Sequence, residues 1–228
     1  MRRVKMKLSS ETIDVLKNFS NINQNILIKE GDTVRTMSTM KNILASAKIT
    51  EEFGQEFGIY DLTEFLGVMS LVGDPELEFD NDSFLTINGN GSANIKYFIS
   101  DPSILISPPD TFNAPETDVL LTVSQDTLSN VLKASAVMQL PDVVINKTQG
   151  DEPATISVTD LKNVTSNSFS EKIDDRATDA FNFNFKAENL KVIPGNYEVN
   201  VSSQALVSNW NNTAKDVDYW IALEQPAD

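Results

Sequence analysis

Apolar residues along this chain recur with two periods, and the clearest helical one runs through residues 59–72, IYDLTEFLGVMSLV. Leu62, Phe65, Leu66 and Met69 follow the i, i+3, i+4, i+7 spacing that lays one stripe of a helix against a core. Asp61 is placed to accept backbone N–H groups as the N-cap, with Glu64 beside the positive end of the helix dipole. Gly73 and Pro75 then stop the helix. An earlier helix is predicted over 10–21, capped by Ser9. Its buried stripe is Leu8, Thr12, Val15, Leu16, Phe19 and Ile22, and Lys17, Asn18 and Asn21 face outward. Shorter runs read as strands: 26–30 and 33–38 about a Gly31-Asp32 hairpin turn, then 41–50, 57–60, 77–79, 84–87 and 93–100.

The second half repeats this order. Strands are predicted at 118–123, 143–147, 155–160 (with Gly150-Asp151 mirroring the first hairpin), 168–173, 180–185, 197–202, 206–210 and 218–224. Ser124 caps a helix with Leu128, Val131, Leu132 and Ser135 inward and Asn130 and Lys133 outward. Phe57, Ile59, Glu64, Leu66, Val68 and Met69 are matched 124 residues later by Phe181, Phe183, Glu188, Leu190, Val192 and Ile193. That match predicts a short helix over 188–192. Between the halves, residues 101–117 carry Pro102, Pro108, Pro109 and Pro115, which exclude a helix or a central strand and make the stretch an extended connection. Its apolar Ile104, Leu105, Ile106 and Phe112 are expected to hold it against a domain surface.

Composition narrows the chemistry. The 228 residues suffice for two cores of ordinary size, and the 40% hydrophobic fraction with 12 Phe belongs to a globular chain. There is no Cys and no His. Disulfides, thiolate or imidazole catalysis and the commonest metal ligands are therefore excluded. The net charge of −15, from 18 basic and 33 acidic residues, argues against simple adhesion to phosphate or anionic lipid. No apolar run reaches the roughly 18 residues that span a bilayer. The basic start leads into an amphipathic helix and is read as no signal peptide.

The candidate sites are few. Asp74, Glu76, Glu78, Asp80 and Asp82 lack the ligand spacing and central Gly of a calcium loop and read as a solvated strand edge. Asp61 and Glu64 are accounted for by capping, and Asp151, Glu152, Asp174 and Asp175 by surface charge. Gly89-Asn90-Gly91 is a hairpin turn without phosphate-loop context. No catalytic residue, cofactor or metal site is predicted. Lys17, Lys133 and Lys191 remain, each on or near the outward side of a predicted helix.

The segments MKLSSETIDVLKNFSNIN from Met6, IYDLTEFLGVMSLVGD from Ile59, FNFNFKAENLKVIPGNYEV and YWIALE, in this order, resemble the DNA polymerase sliding clamp of T-even-type tailed phages. The resemblance implies an α+β chain of two similar clamp domains, each with two helices packed on antiparallel sheet, three copies closing into a ring. It implies domains at 1–108 and 118–228, a linker at 109–117, and a possible extension at 1–5. Implied partners are duplex DNA held topologically, the replicative polymerase, an ATP-driven clamp loader and late-transcription factors, all in the cytoplasm of the infected host, with no membrane. Lys17, Lys133 and Lys191 would face the central hole. Ile104, Leu105 and Ile106 are candidates for docking a short apolar partner peptide. The alternative is a β-rich phage structural or assembly protein with duplicated domains.

Overall fold

The computed structural model describes residues 4–79, 83–148 and 152–225. The chain divides into two compact units, Met1–Asp110 and Thr111–Asp228. In the first, β1 (Val4–Met6) leads into helix α1 (Ser10–Ile22), then β2 (Ile26–Ile28), β3 (Gly31–Met37), β4 (Ile43–Phe53) and β5 (Phe57–Ile59). Helix α2 (Leu62–Ser70) follows, then β6 (Glu76–Phe79), β7 (Phe84–Asn88), β8 (Asn94–Phe98) and a 3-10 turn at Pro102–Ile104. All pairing is antiparallel. β1, β6, β7 and β8 form one sheet in that order, β2 pairs with β5, and β3 with β4.

The helices form where the polar signals place them. Ser9 Oγ accepts from Thr12 N at 3.2 Å and Asp61 Oδ1 from Glu64 N at 2.9 Å, each satisfying a donor that the first turn would leave open. Glu51, on β4, accepts from both Ser9 N and Thr12 Oγ1 and so fastens the start of α1 to the sheet. Burial pushes the Glu51 carboxyl up, but these hydrogen bonds outweigh it and hold it below the usual carboxylate range. Val15, Leu16, Phe19 and Ile22 of α1 and Leu62, Phe65 and Met69 of α2 are buried. Leu8 and Leu66, expected in these stripes, are only half-buried.

The second unit runs β9 (Val119–Val123), α3 (Gln125–Met138), β10 (Asp142–Lys147), β11 (Thr155–Thr159), β12 (Phe169–Lys172), β13 (Asp174–Asp175), β14 (Phe181–Lys186), a 3-10 turn at Ala187–Asn189, β15 (Tyr197–Ser202), β16 (Val207–Asn212) and β17 (Val217–Ala222). One sheet orders β12-β11-β10-β14, and β13, β9, β15, β16 and β17 follow one another in a second. Trp210, Tyr197 and Tyr219 of this second sheet and Phe185 of β14 are fully buried and joined by edge-to-face ring contacts. The architecture is a repeated unit of few helices on antiparallel sheet.

Four expectations are corrected. Gly31-Asp32 is not the turn of a 26–38 hairpin: β2 pairs with β5 and β3 with β4, and Gly31 takes φ +113, which glycine tolerates, at a bulge opening β3. The helix expected over 188–192 is absent, replaced by the single 3-10 turn. Sixteen residues (60–75) separate β5 from β6, but only ten (187–196) separate β14 from β15, too few for a helix with its connections. The ten residues are fixed instead by two tyrosines: Tyr197 Oη donates to Ile193 O, and Ile193 N donates to Tyr219 Oη at 3.1 Å.

The remaining two concern charge. Glu78 is buried, not solvated; it accepts from Asn88 Nδ2 at 2.9 Å and lies 3.6 Å from Lys5 Nζ. Asp175 is not surface charge. Its side chain is 3% exposed, pairs at 2.7 Å with Lys147, itself 8% exposed, and accepts from Ala154 N and Ala177 N. Burial pushes the Asp175 carboxyl up, but the Lys147 ammonium and the two backbone donors overcome it and hold it low. The acids at 80 and 82, the turn at 150–151 and the first three residues of the expected extension lie outside the described residues.

Candidate functional site

Lys17 lies on the exposed side of α1, with Nζ 3.8 Å from Asp14 Oδ1 one turn earlier. Lys133 is exposed on α3 along the stripe Asp126, Asn130, Lys133, Val137. Asn130 on that stripe donates to Glu171 Oε1 at 2.9 Å. Lys191 is exposed but follows the 3-10 turn and is carried by no helix, a correction that follows from the missing second helix. The exposed faces of the three helices also bear Glu11, Asp14, Glu64 and Asp126. Four acids thus face two lysines there, and these faces give no surplus of positive charge.

The stretch 101–110 is tied down within the first unit. Asp101 caps its 3-10 turn, Ile106 N donates to Asn25 Oδ1 at 2.9 Å, Arg35 Nη1 donates to Pro109 O at 3.0 Å, and Lys29 pairs with Asp110. Of the three candidate docking residues, Ile104 is 59% exposed, whereas Leu105 and Ile106 are half-buried. Leu105 leans on Gly58 so closely that a Cβ at that glycine would meet Leu105 Cδ1 at 2.5 Å. Two of the three are therefore engaged by their own unit.

The strap that follows, residues 111–117, is held differently. Among the described residues it forms no hydrogen bond; its anchor is the Phe112 ring, edge-on to Trp220 with centroids 5.1 Å apart. The strap residues Ala114, Pro115 and Thr117 border a cavity of about 250 Å³ whose floor is Asn200, Asn209 and Trp220. These three are direct cross-strand neighbours on β15, β16 and β17, so they share one face of the sheet. Among the described residues Asn209 Nδ2 is buried without a hydrogen-bond partner. This surface escaped the sequence reading, although the alternation along 207–212 and 217–222 places Asn209 and Trp220 opposite the buried Trp210 and Tyr219.

A cavity of about 590 Å³ flanks α3 and is bordered by Leu132, Ala136, Leu140 and Pro141 together with Lys186 and Glu188. It follows from the shortened connection after β14. Leu16, in the corresponding place on α1, is 1% exposed, whereas Leu132 is only half-buried. No helix among the described residues is long and apolar enough to cross a membrane.

Residues 7–103 match the family described as DNA polymerase processivity factor, and residues 121–225 match the C-terminal domain of the gp45 sliding clamp. The sliding clamp of Vibrio phage KVP40 is 31% identical over 223 residues, covering 96% of this chain and 99% of that relative. The sliding clamps of Escherichia phage RB69 and Enterobacteria phage T4 are 28% and 27% identical, each over 96% of this chain and 97% of the relative. Among solved structures, A. fulgidus PCNA bound to the C-terminal region of FEN-1 is similar at TM-score 0.72 and 12% identity over the whole of both chains. Proliferating Cellular Nuclear Antigen from Entamoeba histolytica matches at TM-score 0.67 and 14% identity over 98% of each. These two share the fold. With the clamp fold present twice and full-length phage relatives on both halves, the chain belongs to the phage sliding-clamp family, the processivity factors of phage DNA polymerases.

Proposed function

We propose that three copies of this chain close head to tail into a ring around duplex DNA, opened by an ATP-driven clamp loader. In the cytoplasm of the infected host the ring tethers the replicative polymerase and also serves late transcription, and it catalyses no reaction itself. The observation that carries this reading is an open sheet edge in each unit. Among the described residues β8 pairs only with β7, and β12 only with β11. One such edge in each unit leaves unpaired N–H and C=O groups, which a second copy satisfies by joining edge to edge. The weak charge of the helix faces fits a protein held on DNA by topology, with Lys17, Lys133 and Lys191 of each copy softening the repulsion of the hole. Contacts of that kind permit sliding without base readout.

Native mass measurement tests the ring: a trimer is expected, and a monomer at micromolar concentration overturns it. For the hole, Lys17→Glu with Lys133→Glu is expected to shorten loader-dependent retention on closed circular DNA. Unchanged retention would show that these lysines face elsewhere.

Partners are expected to dock a short apolar peptide. Ile104 supports the first candidate location by its exposure, but Leu105 and Ile106 are engaged within their unit. The groove beneath the 111–117 strap, with Trp220 on its floor, is the better-built surface. Alanine at Trp220 is expected to abolish polymerase stimulation without disturbing the ring, and alanine at Ile104 to matter less.

A further inference from the structure

The turn between β7 and β8 reads Asn88-Gly89-Asn90-Gly91, two Asn-Gly pairs in succession. An asparagine loses its side-chain amide most readily before glycine, which has no side chain to keep its backbone nitrogen away from the asparagine Cγ. The fold treats the two pairs differently. Asn88 Nδ2 donates to Glu78 Oε2 at 2.9 Å, and Gly89 N donates to Ala93 O at 3.1 Å. Gly89 is also pressed onto Val72, just past α2, where a Cβ would meet Val72 Cβ at 2.5 Å. Both the amide and the attacking nitrogen of the first pair are thus held. In the second pair neither is: among the described residues the Asn90 side chain and Gly91 N form no hydrogen bond. Both residues are exposed, and a Cβ at Gly91 would meet nothing within 4 Å, so water reaches the reacting atoms freely.

We propose that Asn90 is a self-modifying site, which converts to aspartate and isoaspartate without an enzyme while Asn88 is spared. Water or hydroxide takes the Gly91 N–H proton, Gly91 N bonds to Asn90 Cγ, and the Cγ–Nδ2 bond breaks with release of ammonia. A second water opens the resulting five-membered imide. Opening at Cγ gives aspartate; opening at the main-chain carbonyl gives isoaspartate, whose backbone runs through Cβ and Cγ and is one carbon longer. Either product carries a new negative charge. Asn90 N donates to Gly73 O at 2.8 Å, so the charge arrives beside Gly73, next in sequence to the Asp74 that pairs with Lys7. The longer backbone of isoaspartate enters a hairpin whose first pair is Asn88 with Asn94, and so disturbs β8. β8 is an open edge by which copies join, so Asn90 is a clock that loosens the ring as the clamp ages; this consequence rests on the ring reading, whereas the conversion itself does not.

The test incubates the full-length clamp at neutral and at mildly alkaline pH and maps the 88–91 turn at intervals by fragment mass spectrometry. Conversion at Asn90 is expected to run at least about tenfold faster than at Asn88, where two hydrogen bonds must open and each biases an equilibrium by up to about that factor. Both rates should rise with pH, because the attacking nitrogen must lose its proton. In denaturant the two rates should draw together. Conversion at Asn88 first, at both sites equally or at neither overturns the proposal, and so does a selectivity that survives unfolding, which would belong to the local sequence and not to the fold. The clock is read separately by native mass measurement: aged wild type is expected to lose trimer, and Asn90→Gln, whose longer side chain closes the ring far more slowly, to keep it. Full conversion with an intact trimer overturns the clock; a fresh protein that is already monomeric defeats the ring reading beneath it.

Discussion

At the scale of single residues, Asp175 carries the largest consequence. It and Lys147 are both almost wholly covered, and Asp175 also accepts from two backbone N–H groups. Removing one member of such a pair strands the other, at about 3–5 kcal/mol. Asp175→Ala is therefore expected to lower the chemical-denaturation midpoint sharply, more than any exposed acid such as Glu116. The pH dependence has a fixed sign. Asp175 and Glu51 are held below the ordinary carboxylate range, so the stability they contribute is complete above about pH 4 and is lost as pH falls through their depressed values. Thermal melting of the wild type should thus decline on acidification below about pH 4, and Asp175→Asn should show a smaller further decline. None of this was legible locally: the sequence places Asp174 and Asp175 in a polar stretch, and the covering Lys147 comes from a strand 28 residues earlier.

Among the elements, the features fixed by neighbours in sequence were readable and those fixed by distant partners were not. Ser9, Asp61 and Ser124 cap the helices they were expected to cap, because an N-cap bond closes within three residues. The β2–β5 pairing was hidden, since Ile26 finds its partner in Ile59 across 33 residues and a nearer glycine offered a more obvious turn. The missing helix had a signal in the spacing: the match between the halves compares residue types, whereas the chain available after β14 is six residues shorter than that after β5, sixteen against ten. The shortening has a measurable effect on the helix that remains. Leu16→Ala is expected to cost about 2–5 kcal/mol because α1 is packed tightly there, while Leu132→Ala should cost clearly less, its site being already part open. Equal losses in denaturant titrations would mean that something else covers Leu132.

For the whole molecule, charge and topology act together. In the proposed ring, a net charge of −15 and helix faces with no positive surplus leave phosphate contacts little part in the hold on DNA. Retention on closed circles is therefore expected to change little between low and physiological salt, over a range in which a protein held by 6–10 phosphate contacts loses about 10³–10⁵ in affinity. Linearising the circle should release it, and a steep salt dependence on circles would contradict the topological hold. The duplicated plan and the resemblance to phage clamps were legible from the chain alone. The strap groove was not, because its floor is assembled from three strands, and only Phe112, an aromatic residue in a Pro-rich connection, hinted that something lay beneath.

The same strap also sets how the molecule is taken apart. A protease needs several residues of backbone free of hydrogen bonds, and 111–117 supply such a run at the start of the second compact unit. Limited proteolysis should cut there first, giving two fragments of nearly equal mass.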